Sequence, residues 1–378
     1  MKPTLLQICS YYIGSKLYSE LFSVLDERGY AQQVFVPVHT QALIGANQIP
    51  DTEQLRLNYS LNFSSLDRFI YWRKVGKIYK DLLSQYPELP KLSHAHSLFI
   101  NGGVARKLKT EKGVPYIVEV QNTDINVFFK YFFYLRRQGW NILRDADRIV
   151  FYSPAYKNRL IEEMAPTRLR DELRSKSVVI GSGANDFWFE HKGRQKTLSD
   201  PRALRLLFMG MIDKNKNVQT SIEACEKLRA QGYPVQYTVI GRMVDHDIGK
   251  MLEQRDWIRY IPHSPKEELL EHVRSSDIFI MPSHKETFGL VYVEAMTQGL
   301  PVVYSKGQGF DGQFPEGEVG YAVASDSADE LADAILRIAA DYEALSGRAL
   351  EASEQFSWAS VADRYEELYR SIKKEAIH

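Results

Sequence analysis

Short apolar runs alternate with segments of helical period along almost the whole chain, and few architectures accommodate that rhythm. A continuous apolar run suits a strand buried on both faces, and the amphipathic stretch after it suits a helix that carries the chain back along a sheet. Repeated, such units build parallel sheets. In the first half the strand candidates are Thr4–Cys9, Gln33–Val38, Leu92–His96, Tyr116–Val120, Arg148–Tyr152 and Ser177–Ile180, with helical stretches such as Ser15–Glu27, Leu66–Leu83 and Tyr156–Met164 between them. The rhythm breaks at His191–Ala203 (HKGRQKTLSDPRA), a polar stretch that reads as a linker. It restarts with strand candidates Leu204–Met209, Val235–Ile240, Ile258–Ile261, Ile278–Met281, Pro301–Tyr304 and Tyr321–Val323. Helices are expected at Asn217–Arg229, Pro265–Arg274, Gly289–Gln298 and Ala328–Ala339. An α/β chain with two doubly wound parallel-sheet domains follows, and 378 residues exceed one ordinary core.

Composition narrows the class further. Hydrophobic residues make up 44% and charged residues 25% of the chain, as in globular rather than disordered or fibrous proteins. No stretch approaches the roughly 20 uncharged apolar residues of a membrane span. The opening MKPTLLQICSYYIG lacks a signal-peptide cleavage region, so a cytoplasmic location is expected, with any membrane contact peripheral and at the inner face. Cys9 and Cys225 lie far apart in apolar surroundings, which fits a reducing compartment and no disulfide scaffold. A formal net charge of zero conceals a split: residues 1–190 hold 25 Lys and Arg against 19 Asp and Glu, the remainder 23 against 29. The first half is therefore expected to face something anionic. No nucleic-acid partner is expected.

The segment Asp277–Pro301, DIFIMPSHKETFGLVYVEAMTQGLP, concentrates the chemistry. A buried strand ends at Pro282-Ser283, a loop carries Glu286, and Gly289 opens a helix containing Glu294. In doubly wound sheets, ligands bind beyond the carboxyl ends of the strands, where helix N-termini present unbonded N–H groups. Amides around Thr287–Leu290 suit hydroxyl or phosphate oxygens, with Glu286 beside them as an acceptor. Read alone, Glu294 falls with Thr287 and Gln298 on one solvated helix stripe.

The string PSHKETFGLVYVEAMTQGLPV resembles the signature of the family-4 retaining glycosyltransferases, with its two glutamates as Glu286 and Glu294. That resemblance implies the GT-B fold: two facing Rossmann-like domains, with a last helix, from Phe356-Ser357-Trp358 onward, crossing back to the first. The domains are expected at 1–190 (with 358–378) for the acceptor and 200–357 for the donor. By the same resemblance Glu286 and the amides of Phe288, Gly289 and Leu290 bind the donor sugar, and Glu294 binds the nucleotide ribose. Phe208-Met209-Gly210 followed by Lys216-Asn217 resembles the segment whose arginine and lysine hold the diphosphate; Lys216 is retained, but Met211 stands where the arginine is expected, and Lys214 could substitute. Both lysines read equally as solvated residues at a helix start. Val239-Ile240-Gly241 resembles the strand-end glycine, and Ile261-Pro262 would frame the base. In the first domain Gly14 of Tyr11–Ser15 matches a glycine loop, though a turn glycine explains it as well. Asp124 matches the aspartate of an H-x-x-D motif whose histidine is here Gln121, and His94 and His96 resemble an H-x-H feature that reads as core or rim packing.

The reaction so implied moves a sugar from a nucleoside-diphosphate sugar, UDP- or GDP-linked, to a glycan or lipid-linked acceptor in surface polysaccharide or glycolipid assembly. Glu286, Lys216 and Asp124 are the expected catalytic residues; Glu294, Phe288, Gly289, Leu290, Gly14, Gly210 and Gly241 bind the co-substrate. No cofactor and no metal are expected, because Asp145-x-Asp147 and Asp245-x-Asp247 sit where capping and turn roles suffice. The diphosphate, held by Lys216 and backbone amides, would take the acceptor proton on the face it leaves. A degenerate partner subunit and a GT-B sugar-nucleotide epimerase are the alternatives. No dinucleotide fingerprint follows Gly102-Gly103. Val127–Arg137 (VFFKYFFYLRR) mixes rings with cations; it either packs the first domain or touches lipid.

Overall fold

The computed structural model describes residues 2–64, 67 and 70–375, with side chains to residue 372. Of the expected helices, Leu66, Arg68 and Phe69 of one and residues 376–378 of the last lie outside the described residues. The chain divides into two compact units. Residues 1–152, 156–183 and 358–378 form the first, and 153–155 with 184–357 form the second.

The first unit is a seven-stranded sheet. Its strands are β1 (Leu5–Ile8), β2 (Gln32–Val38), β3 (Leu55–Leu61), β4 (Leu92–Ala95), β5 (Tyr116–Val120), β6 (Arg148–Phe151) and β7 (Ser177–Val179). They run in the order β3-β2-β1-β4-β5-β6-β7, every neighbouring pair parallel. The second unit holds β8 (Arg205–Met209), β9 (Gln236–Ile240), β10 (Ile258–Ile261), β11 (Ile278–Met281), β12 (Val302–Ser305) and β13 (Gly320–Val323). Their order, β10-β9-β8-β11-β12-β13, repeats the winding of the first unit, again all parallel. Each unit thus has a switch point, between β1 and β4 and between β8 and β11, where the crevice for a ligand opens.

The segment His191–Ala203, read as a linker, contains no strand or helix and packs within the second unit. Gly193 N–H donates to the Thr297 carbonyl (2.8 Å) and Lys196 N–H to Ser346 Oγ (2.8 Å). β3 was not anticipated. Its sequence, LRLNYSL, alternates apolar and polar residues, the pattern of a half-buried edge strand rather than of a continuous apolar run.

The helix Trp358–Glu375 belongs to the first unit. Trp358, Val361, Tyr365, Leu368, Tyr369 and Ile372 pack with Leu5, Val34, Ile117 and Val150 in one core cluster, and Trp358 donates its indole N–H to Glu20 (2.9 Å). Beneath this helix lies a buried polar knot. Glu119 on β5 accepts hydrogen bonds from Tyr152 (2.6 Å) and Tyr365 (2.7 Å), and His94 and His96 of the neighbouring β4 strand-end stand 3.2 and 3.1 Å from its two oxygens. Burial alone would raise the Glu119 carboxyl; the two histidines instead hold it well below the usual carboxylate range. His94 is pushed down to about 4 by burial and by His96. The expectation that His94 and His96 pack in the core is met, and with Glu119 they form the group among the described residues whose ligand atoms are close enough for a cation. Both cysteines are free and buried.

Candidate active site

The second unit joins two residues 70 positions apart. Lys216 Nζ stands 2.6 Å from Glu286 Oε2, both side chains largely shielded from solvent. Lys216 arrives on the turn between β8 and the helix Val218–Ala230, its own N–H donating to Asp213 (2.9 Å). Glu286 lies on the loop after β11; its N–H donates to Gln308 Oε1 (3.2 Å), and its Oε1 accepts the Thr287 N–H (3.0 Å).

Gly289 follows with φ +87, and a Cβ there would lie 2.4 Å from the Tyr292 ring. Only glycine lets the helix Leu290–Met296 start at this point. The side chain of Phe288 is buried against Phe356 (5.3 Å between ring centres), so Phe288 can offer a ligand only its main chain. Glu294, one turn on, is half-buried, and burial raises its carboxyl to about 7, opposed by Lys266 and by the indole of Trp188. Gln298 is buried and bonded to Arg274 (3.1 Å) and to the His191 carbonyl (3.1 Å). The solvated-stripe reading therefore fails at buried Gln298 and half-buried Glu294, and holds only for Thr287, which is exposed and precedes the helix.

Gly210 and Gly241 end β8 and β9 in contact. A Cβ on Gly241, at φ +146, would fall 1.8 Å from the Gly210 carbonyl oxygen, so the two strand ends pack backbone against backbone and no side chain fits at Gly241. Lys216 runs past Gly210, its Cε 4.0 Å from where a Cβ would be. Met211 is exposed, and the guanidinium of Arg242 lies 3.6 Å from its sulfur. An open depression of about 590 Å³ adjoins these strand ends, lined by Asp213, Lys214, Asn215, Val244, Asp245, His246 and Asp247.

Gly14 and Asp124 belong to the first unit. Gly14 closes a single turn, Tyr12–Gly14, without positive φ, and a Cβ there would meet nothing within 4 Å. Asp124 is buried and accepts the N–H groups of Gln121 (2.8 Å), Leu98 (3.0 Å) and Phe99 (3.4 Å); burial nevertheless raises its carboxyl to about 6. Gln121, in the histidine's place, donates to Tyr18 (3.1 Å) and to the His96 carbonyl (3.2 Å). Asp124 helps line a pocket of about 250 Å³ at the carboxyl ends of β1, β2, β4 and β5.

The paired aspartates have structural partners. Asp145 meets Arg106 (2.6 Å) and Asp147 meets Lys109 (2.8 Å), while Asp245 caps the helix His246–Glu253 by accepting the Asp247 N–H (3.0 Å).

Comparison with solved structures places the whole architecture. Sucrose-phosphate synthase from Thermosynechococcus elongatus superposes with a TM-score of 0.72 at 18% identity, over 99% of this chain and 100% of its own. HepE from Anabaena, in complex with UDP, gives 0.70 at 18% identity over 98% and 100%. The fold is GT-B. Within it, residues 189–355, nearly all of the second unit, match the family model described as "Glycosyl transferases group 1". A curated relative, D-inositol 3-phosphate glycosyltransferase from Corynebacterium kroppenstedtii, is 24% identical over 350 residues, 85% of this chain and 69% of the relative. The chain spans 53–58% of the length of six other curated relatives it matches.

Two features of this candidate site escaped sequence reasoning. Arg242 follows Gly241 immediately, yet nothing in a linear reading connects it to position 211. Trp188 lies over 100 residues before Glu294, and its buried indole faces that carboxyl. Helix Asp186–Glu190, which carries it, was masked by its place beside the polar stretch.

Proposed function

We propose that the chain is a retaining, metal-independent glycosyltransferase. Its second unit binds a nucleoside-diphosphate sugar, UDP- or GDP-linked, and its first unit binds a glycan or lipid-linked acceptor in surface polysaccharide or glycolipid assembly. The observation that carries this reading is the Lys216–Glu286 pair beside the closely packed strand ends Gly210 and Gly241, inside the segment that matches the family model. Glu286 would accept donor-sugar hydroxyls, and Lys216 would stabilise charge on the departing diphosphate, where a charge-assisted contact counts most. Glu294 would accept from the ribose. That HepE was solved with UDP and the curated relative is named a glycosyltransferase supports this assignment by similarity.

Glu286→Gln tests it. Turnover with a nucleotide-sugar panel is expected to fall more than tenfold, since losing a charged hydrogen bond costs roughly 1.5–3 kcal/mol, while the thermal midpoint stays near wild type. Turnover above about a tenth of wild type would remove Glu286 from the mechanism. The anomeric configuration of the product, read by NMR, decides retention, and EDTA is expected to leave the rate unchanged. Met211 and Gln121 favour a second reading, a degenerate subunit that binds donor without transferring it; absence of both transfer and slow donor hydrolysis in the purified chain would establish that reading.

A further inference from the structure

Thirteen large hydrophobic side chains are exposed among the described residues, and seven of them fall in two short segments of the first unit: Ile70 and Trp72, then Val127 and Tyr131 to Tyr134. Phe133 is 73% exposed and Tyr131 60%. These are not rings awaiting a core, because Phe129 and Leu135 from the same stretch are already buried. The backbone here is a π-helical turn, Asp124–Phe129, followed by a tight turn at Phe133–Leu135. Such irregular turns are frequent at functional positions, and this one turns successive rings outward.

The exposed rings connect to the 250 Å³ pocket by an unbroken aromatic path. Phe99 lines the pocket and stacks on Phe128, which also lines it (4.7 Å, 17° between planes). Phe128 meets Phe132 (5.5 Å), and Phe132 meets Tyr134 (6.0 Å). At the pocket wall, half-buried Lys74 places its ammonium 4.1 Å from the centre of the Phe63 ring, and His39 stands beside the same ring at 5.9 Å. The pocket is smaller than the roughly 300–1,000 Å³ of sites for larger organic ligands. It suits one sugar ring, with a cation at its wall and an apolar track leading out.

We propose that this pocket and track form the acceptor subsite for a lipid-linked glycosyl phosphate: sugar in the pocket, phosphate at Lys74, and hydrocarbon chain along Phe128, Phe132 and Phe133. The word acceptor rests on the transferase reading above; the binding itself does not. The charge of the surroundings fits an anionic lipid, since Lys130, Arg136 and Arg137 flank the exposed rings.

Titration of the full chain with farnesyl phosphate below its micelle concentration, followed by calorimetry, tests the proposal, with farnesol and inorganic phosphate as controls. Saturable binding of one molecule per chain is expected, at least tenfold tighter than either control. Lys74→Gln is expected to weaken it about tenfold, and the double substitution Phe132→Ser with Phe133→Ser, both at exposed positions, to weaken it by a similar factor. UDP binding should be unchanged in all variants. No saturable binding, equal binding of farnesol, or loss through only one of the two sets of substitutions overturns the assignment. Intact farnesyl phosphate binding without any nucleotide binding would instead sink the donor reading and leave the lipid site standing.

Discussion

At the scale of single residues, the carboxyl of Glu294 sets a pH signature. Its folded pKa of about 7 lies above the roughly 4.3 of an unfolded glutamate, so the folded chain holds an extra proton between those values. This group therefore stabilises the fold most at the acidic end, and the increment is lost as pH rises through 7. Urea unfolding from pH 5 to 8 should show that slope in the wild type, and Glu294→Gln should flatten it. If the ionised form is the one that accepts ribose hydroxyls, UDP should bind more tightly at pH 8 than at pH 6 in the wild type only. Arg242 offers a second residue-level test. Its guanidinium beside Met211 occupies the neighbourhood where a diphosphate cation is missing from the sequence. Arg242→Ala should raise the donor Michaelis constant about tenfold, and Met211→Arg in that background should restore it; a donor constant untouched by Arg242→Ala would leave Lys216 as the diphosphate's cation at this turn. The candidate site was legible as far as Glu286, Lys216 and Gly289, because a strand–loop–helix string is local. Arg242 and Trp188 were not, because their meaning comes from contacts that only the closed sheet creates.

At the scale of elements, the buried apolar runs were readable and the alternating run of β3 was not. β5 and β11 stand where their runs place them, whereas β3, with its exposed Leu61, offered too weak a run. The helix Tyr342–Ala352 also went unassigned. Its buried face carries residues such as Ser346 and Ala349, which leave little periodic hydrophobicity to detect. The terminal helix is held by more than its apolar stripe. Tyr365 donates to the buried, ionised Glu119 at 2.7 Å, and a hydrogen bond to a charged group contributes roughly 1.5–3 kcal/mol. Tyr365→Phe should lower the unfolding free energy by about that much, measured by urea titration. A loss below about 0.5 kcal/mol would mean that Tyr152 and the histidines satisfy Glu119 without it.

At the scale of the whole molecule, the charge split and the exposed rings point the same way. The more basic half of the sequence contains Tyr131 to Tyr134 together with Lys130, Arg136 and Arg137. No helix among the described residues is long and apolar enough to cross a membrane, so any contact would be made by surface rings and cations. Co-sedimentation with anionic vesicles should be measurable at low salt and fall steeply by about 0.5 M, where surface charges are screened within a few ångströms. Neutral vesicles should retain much less protein. Equal recovery from both vesicle types would leave the cations without a role.

The helix Trp358–Glu375 also fixes an order of events during synthesis. Segments of the first unit flank the second in the sequence, whereas residues 184–357 of the second form an uninterrupted stretch. A ribosome therefore releases nearly all of the second unit before it delivers Trp358, Tyr365 and Tyr369 to the core they complete. Until then Leu5, Val34 and Ile117 lack the cover that these side chains provide. The half translated first is the half finished last, and the nascent chain must carry an unsealed apolar face through most of its own translation.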